Sequence, residues 1–450
     1  MINSSKFKSL AALALLTAAG CKGDFLTGGD LNHDPNRPGV ASAQQLFTGV
    51  QSNLWALWGS DLARVTGMWA QQFQGLISQY PTIDQYARDE STTGGFHQGL
   101  YSGGGLIDLK NIDPLAVAAN DKHMLGTSQI FEGALMGTGA DLFGDLVYSQ
   151  ALTGKTNPLL DKQAAVYDSV QKVLSAGITN LQSNTPTDIG PGAYDLNYGG
   201  DRTAWTKFAH TLKARFYMHT AKTNANAYAL ALQEATQGLD DPAIDYKGVF
   251  QAVPQAETNF YYQFNGPAGR GGYMGINPFF VNLLVSRNDP RFNDYIDTVS
   301  NFVSSTRAAP NYQQAFVTTS ENLLIWSEAA FRTGDQATAI AKLQEYRALV
   351  GLTGNINFSG PSLLTEILTE EYINDFQLGQ EAWNLYKRTC FPNLVPTVST
   401  LKIPRRFYYD TGERQTNTNI PEAGSGINGS FNQDDPSAVN SDGGGSCAGQ

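Results

Sequence analysis

The residue types of catalysis are present in this chain, but not at catalytic spacings. The five histidines, at 33, 97, 123, 210 and 219, are scattered, and none stands in H-E-x-x-H or another ligand spacing. Gly154-Lys155-Thr156 resembles the end of a phosphate loop, but position 149, where its first glycine belongs, is Ser. G-x-S-x-G does not occur, so no hydrolase elbow is indicated. Cys390 has no neighbour that would activate a thiol. Glu370 and Glu371 are adjacent on a helical stretch and face different ways. Glycosidic acid–base chemistry needs two carboxyls roughly 5–10 Å apart across the bond. Asp141, Asp145, Asp240, Asp241 and Asp289 follow no EF-hand pattern and read as solvated turn carboxylates. Neither an enzyme nor a resident metal or cofactor is expected.

Aromatic residues suggest a different chemistry. Tyr80, Tyr86, Phe96 and Tyr101 fall in polar, glycine-broken text, and so do Tyr261, Tyr262 and Tyr273. Arg88, Gln98, Asp89 and Asn265 lie near them in sequence. Sugar rings stack their C–H faces on aromatic faces, while amides and charged groups bind the hydroxyls. The two segments could converge on one face. For each ring taken singly, packing in the core remains the competing reading. Trp205, Trp326 and Trp383 lie within helical periodicity and read as core, and Trp55, Trp58 and Trp69 also read as packing residues.

The 450 residues are 41% hydrophobic, 11% aromatic and only 16% charged, enough for a sizeable core with rings to spare. Thirty Lys and Arg against 41 Asp and Glu give a net charge of −11, which argues against a nucleic-acid binder. The N-terminus reads as a secretory signal over 1–20: Lys6 and Lys8, the apolar run Leu10–Leu16, then Ala18-Ala19-Gly20-Cys21. Small residues directly before a Cys resemble a bacterial lipobox, which makes Cys21 the expected lipid acceptor. The apolar run is shorter than the ~20 residues needed to span a bilayer. Residues 21–41, rich in Gly, Asn, Asp and Pro, read as a tether to a single body over 42–450. Cys390 and Cys447 could pair in an oxidising envelope.

The body reads as all-α. Helices are expected over 43–57, 62–77, 121–136, 164–181, 203–220 and 228–237. Val166, Val170, Val173, Leu174, Ile178 and Leu181 make one clear apolar face. Lys207, Lys213 and Arg215 read as solvated or capping groups, and 90–105 as turn-broken. The clearest hairpin joins 321–332 to 336–350 through Thr333-Gly334-Asp335, with Gly ending one helix and Asp capping the next. Ala329, Ala330, Ala337 and Ala341 would allow close approach. This hairpin resembles a tetratricopeptide unit, with looser copies around 123–237 and at 363–388. Residues 248–315 read as a long irregular insertion and 422–450 as a polar tail.

Taken in order, several segments resemble the SusD/RagB family of outer-membrane nutrient-binding lipoproteins. Residues 141–152 (DLFGDLVYSQAL) are similar to its "fGdvPy-eA" segment, with Val147 in place of Pro. Residues 195–215 (DLNYGGDRTAWTKFAHTLKAR) are similar to "D-iYgGd-W-kfAntLk-R", with His210 in place of Asn. Residues 321–347 resemble its late hairpin, and 379–388 (GQEAWNLYKR) resemble "g-E-w-dykR". Pro404, Arg406, Tyr408, Glu413 and Asn417 follow its closing pattern. The resemblance implies tetratricopeptide-like hairpins with a loop-rich ligand face and display on the outer leaflet. It also implies a SusC-like TonB-dependent transporter as partner, and binding of glycans or peptides without cleavage. The ligand itself is not implied. An α-helical envelope glycosidase and a tethered scaffold without small ligand remain the alternatives. A carboxyl pair in a cleft would favour the former, and an exposed aromatic platform would favour glycan binding.

Overall fold

The computed structural model describes residues 41–86, 93–264, 268–398 and 403–420. The expected signal peptide, most of the tether, Arg88 and the polar tail lie outside these residues.

The body opens with α1 (Ala43–Gly59), which buries Phe47, Val50, Leu54, Leu57 and Trp58 at spacings of three and four. Helix α2 (Asp61–Trp69) follows, then β1 (Phe73–Gly75), α3 (Tyr80–Asp84), α4 (Gly94–Tyr101) and α5 (Leu106–Ala119). Sequence periodicity ran α2 on to residue 77. The helix instead stops at Trp69, and Gln71 takes φ 57 as the chain turns into β1. It also read 90–105 as broken, yet α4 forms there. Its glycines supply few side-chain contacts, but Phe96 and Leu100 fix it to the core.

Four hairpins then stack. Helix α6 (Lys122–Phe143) pairs with α7 (Gln163–Leu181), and α8 (Arg202–His219) with α9 (Ala227–Ala235). After the insertion, α12 (Thr319–Arg332) pairs with α13 (Gln336–Leu349), and α14 (Pro361–Asn374) leads into α15 (Gly379–Thr389). Helices α7 and α8, α9 and α12, and α12 and α14 link successive pairs, and α15 packs back on α2. Caps set the helix starts: Asp121 accepts from Met124 N, Asp201 from Thr203 N and Ala204 N, and Asp335 from Thr338 N. Gly334, at φ 94, ends the α12 turn as the sequence suggests.

The insertion is less irregular than its prolines suggest. It holds β3 (Met274–Ile276), α10 (Pro278–Ser286), α11 (Phe292–Tyr295), β4 (Ile296–Asp297) and β5 (Phe302–Val303). Pro278 sits at the first turn of α10, where no N–H is needed, and Asn277 caps it. With β2 (Tyr246–Lys247) and β6 (Ala315–Val317), the strands form three antiparallel ribbons, β1–β3, β2–β6 and β4–β5. Residues 403–420, including α16 (Thr411–Thr416), run back over the end of α6. Phe407 N donates to Leu142 O at 2.7 Å, and Tyr409 OH to Asp145 O at 2.6 Å. Cys390, at the end of α15, is disulfide-bonded, and its partner lies outside the described residues.

Packing corrects two readings of the helices. Ala329 and Ala330 are fully buried, but Ala337 and Ala341 face solvent, and Ala339 fills the seam instead. Ser327 Oγ donates to Ala339 O at 2.8 Å, which brings the two helices together there. Ala329→Phe should therefore overpack the cluster of Ala214, Met218, Ala231, Ala235 and Ile325, at about 1–3 kcal/mol. Ala337→Phe should leave thermal unfolding unchanged. Equal melting of the two variants would show this register to be wrong. Lys213 and Arg215 are also buried rather than solvated: Lys213 pairs with Glu234, and Arg215 with Glu321 and Glu381.

Candidate functional site

The aromatic residues divide by burial. Tyr80, Tyr86, Phe96 and Tyr261 have little or no exposed surface. Tyr261 stacks on Phe73 with centroids 5.6 Å apart and donates to Gln377 O at 3.2 Å. Tyr86 OH accepts from Thr397 N at 2.9 Å, and Phe96 packs edge-on against Phe407 at 5.1 Å. Burial raises the hydroxyl pKa of Tyr80, Tyr86 and Tyr261. These rings belong to the core and offer no stacking face, which corrects the reading of them as loop platforms. Tyr101 is half-buried and donates to Val147 O at 2.7 Å, while Gln98 is exposed on α4.

Of the rings singled out in the sequence, Tyr262 and Tyr273 are the two on the insertion that stay half-buried. The ribbon of β1 and β3 positions Tyr273. Gly75 pairs with Met274, and Leu76 N and Ile77 N both donate to Tyr273 O, at 2.9 and 3.3 Å. Gly75 is required there, because a Cβ would lie 2.1 Å from Tyr80 O. Tyr80 forms the floor beneath, edge-on to Phe264 at 5.5 Å and to Tyr273 at 6.4 Å. The guanidinium carbons of Arg64 and Arg270 lie 4.6 and 5.8 Å from the Phe264 centroid. Leu76, Ile77, Gln79, Arg270 and Asn301 are exposed around this floor. Ile276 N donates to Asn301 O at 3.0 Å, which brings the β4–β5 turn alongside.

Thus the segments near 80 and 261–273 do meet, through Tyr80, Phe264 and Tyr273, whereas Tyr86, Phe96 and Tyr101 lie elsewhere. Sequence reasoning missed Leu76, Ile77, Gln79, Phe264 and Arg270. Residues 76 and 77 were absorbed into an over-long helix, and nothing local marks Phe264 as a floor. The patch offers apolar and aromatic surface with a guanidinium and amides at its edge, groups that bind sugars or other flat polar molecules.

Carboxyl groups cluster elsewhere, between the hairpins. His219 lies between Asp141 (Nδ1–Oδ1 2.8 Å) and Glu381 (Nε2–Oε2 3.1 Å). Arg215 bonds Glu321 through Nε and Nη2 at 2.5 and 2.7 Å. Arg388 reaches Glu328 and Glu371, both at 2.6 Å. Asp141, Asp145 and Asp289 are thus paired and buried, not solvated turn groups. The two cavities along this network hold about 40 Å³ each, room for a water and not for a sugar ring. Glu370 and Glu371 do face different ways, toward Arg287 and Arg291 and toward Arg388. Among the described residues, no group of three His, Cys, Asp or Glu could hold a metal ion, and no helix is long and apolar enough to cross a membrane.

The segments noted in the sequence serve this scaffold. Asp195 accepts from Gln51 Nε2, Gly200 N and Trp205 Nε1, and so fastens the turn before α8. No curated protein sequence matches the chain. A SusD/RagB family protein from Bacteroides thetaiotaomicron superimposes with a TM-score of 0.70 at 17% identity, over 85% of this chain and 95% of its own. A chitin-binding SusD homologue from Flavobacterium johnsoniae gives 0.67 at 16% identity, over 84% and 94%. A SusD homologue from Bacteroides fragilis gives 0.66 at 18%, over 85% and 94%. A family model described as starch-binding and associating with the outer membrane matches residues 35–306, more than half of the chain, which therefore belongs to the SusD-like family.

Proposed function

We propose that this chain is a surface-tethered lipoprotein that captures glycans and passes them to a SusC-like TonB-dependent outer-membrane transporter, without cleaving them. The observation that carries this reading is the open patch of Tyr273, Leu76 and Ile77 beside Arg270, over the floor of Tyr80 and Phe264. Family membership and the chitin-binding relative support it. The pairing of the hairpin carboxyls with Arg and His around water-sized cavities weighs against the glycosidase alternative. A lid on a transporter must release what it holds, so binding in the micromolar to millimolar range, about −4 to −8 kcal/mol, fits the role.

Calorimetry with chitin, starch and peptide oligomers, paired with product analysis, tests the reading. Tyr262→Ala and Tyr273→Ala should each weaken oligosaccharide binding by roughly 1–3 kcal/mol, by analogy with base stacking, and leave melting unchanged. Released product would move the protein to the hydrolase reading. Full affinity in both variants would place the site elsewhere.

In this reading residues 1–20 are removed, Cys21 carries the lipid, 21–41 form the tether, and 42–450 are the displayed body facing the cell exterior. Two or more acyl chains anchor stably without a membrane-spanning helix. Cys21→Ala should therefore move the chain from the membrane to the soluble fraction in cells lacking the transporter. Retention in the membrane would count against the anchor. A lipidated Cys21 has no free thiol, which leaves Cys447 as the partner of Cys390, a pairing that non-reducing peptide mapping reads directly.

A further inference from the structure

Large apolar residues are held outward at the end of the body where the chain enters. Helix α5 buries Leu106, Leu109, Ile112 and Ala116 and turns Ile107, Leu115 and Val117 to solvent, with Val117 64% exposed. Beside it, the connection from α7 to α8 exposes Ile189 (67%), Tyr194 and Leu196. The two elements are joined. Asn120 Nδ2 donates to Thr187 Oγ1 at 3.1 Å, Thr187 Oγ1 to Asn120 O at 2.8 Å, and Lys122 N to Asp188 Oδ1 at 2.8 Å. Both lie on α1 near its start: Thr48 Oγ1 donates to Tyr194 O at 2.9 Å, Leu196 N to Gln51 Oε1 at 3.0 Å, and α5 packs along α1. The chain enters α1 at Ala43.

Single exposed apolar residues need no explanation, but a fastened set does. Charge singles this face out too. The chain has 41 acidic residues, yet residues 183–200 expose no charged side chain. Their two carboxylates, Asp188 and Asp195, turn inward onto backbone N–H groups, as does neighbouring Asp121. At the edge, Lys122 is exposed, Lys110 pairs with Glu132 at 2.7 Å and with half-buried Asp113 at 3.7 Å, and Asp201 is the exposed acid just beyond residue 200.

We propose that this face, the outer side of α5 with residues 187–196, rests on the lipid surface and so fixes the orientation of the tethered body. This rests on the reading of Cys21 as the anchor. Twenty-two residues separate Cys21 from Ala43, and a random-coil chain of that length spans about 25 Å root-mean-square, so a lipid on Cys21 would keep the bilayer close to the end where the chain enters. Apolar side chains, a tyrosine and the exposed Lys122 match the headgroup boundary, where rings settle and lysine stems reach outward to the phosphates. The contact needs little affinity of its own, because the tether supplies the proximity.

The test uses the full lipidated chain on vesicles of phosphatidylethanolamine and phosphatidylglycerol that carry spin-labelled lipid. An environment-sensitive fluorophore is placed at Val117→Cys, at Ile189→Cys or, off the face, at Val299→Cys. The labels at 117 and 189 should be quenched and that at 299 should not. Adding Tyr194→Asp and Leu196→Asp to Val117→Cys should lower the ratio of lipid-contacting to free bodies about tenfold, equivalent to about 1.4 kcal/mol, while the chain still sediments with the vesicles. Sedimentation with equal, weak quenching at all three positions would overturn the face and leave the anchor standing. Failure to sediment at all would overturn the anchor and the proposal with it. Shielding that arises in outer membranes containing the transporter, and not on lipid alone, would assign the face to a protein and overturn the proposal.

Discussion

His219→Gln is expected to lower folding stability by about 3 kcal/mol at neutral pH, with the loss vanishing toward alkaline pH. The side chain is 7% exposed, and both ring nitrogens meet carboxylates, Asp141 on α6 and Glu381 on α15. Burial alone would drive the proton off. The two carboxylates outweigh it and raise the imidazole from 6.5 to about 9. A raised folded pKa means that the folded state holds the proton more tightly than the unfolded chain. The stabilisation is therefore complete below pH 6.5 and is lost as pH rises through about 9. The shift corresponds to roughly 3 kcal/mol. Glu381 follows the opposite sign: burial opposes its charge, but Arg215 and His219 overcome it and lower the carboxyl to about 2. Its share persists above the unfolded value of 4.5 and fades as pH falls toward 2. Glutamine keeps one hydrogen bond and removes the charge, leaving two buried carboxylates facing each other across α8. Urea unfolding of both proteins between about pH 6 and pH 10 checks this. Curves that stay parallel across that window would mean that His219 is neutral in the fold.

The same residue shows where the sequence is mute. The buried face of α7 was legible because its apolar residues recur every three or four positions. Gly334 and Asp335 mark a turn without help from any distant residue. What the side chains meet across the fold was not legible. Arg215 looks like one more basic residue on α8 until Glu321, 106 positions away, closes on it. Tyr261 sits in loop-like text, yet its hydroxyl partner is 116 positions on, and that of Tyr86 is 311. Polar, glycine-broken segments were read as open surface, but tertiary packing drew four of their rings inward. The candidate site was legible only as two regions of the chain. Its floor, Phe264 with two guanidinium groups near its ring, depends on Arg64 from α2, far off in sequence.

Helix α2 also carries the second large effect. Gly379→Ala is expected to destabilise the protein by about 3 kcal/mol, the upper end of an ordinary overpacking cost. Gly379 opens α15 where it crosses α2. A Cβ there would lie 2.1 Å from Ala63 O and 2.3 Å from Gly67 N. Both obstacles are backbone atoms, so no rotamer change relieves them, and the helices must part. They are held together nearby by Trp69 and Trp383, edge to face at 5.7 Å, and by Phe407 stacked 4.7 Å from Trp69. Parting them opens this aromatic cluster and shifts Arg64, which supports Phe264 beneath the candidate site. Glycan affinity should therefore fall along with stability, although Gly379 lies outside the patch. Gly99→Ala in α4 is the matched control: its Cβ would meet side chains alone, Leu57 at 3.4 Å and Asn53 Oδ1 at 3.7 Å, both ordinary contact distances, and alanine favours the helix. That variant should melt at or slightly above the parent temperature. A Gly379→Ala protein that melted with the control would show that α2 and α15 do not approach as closely as described.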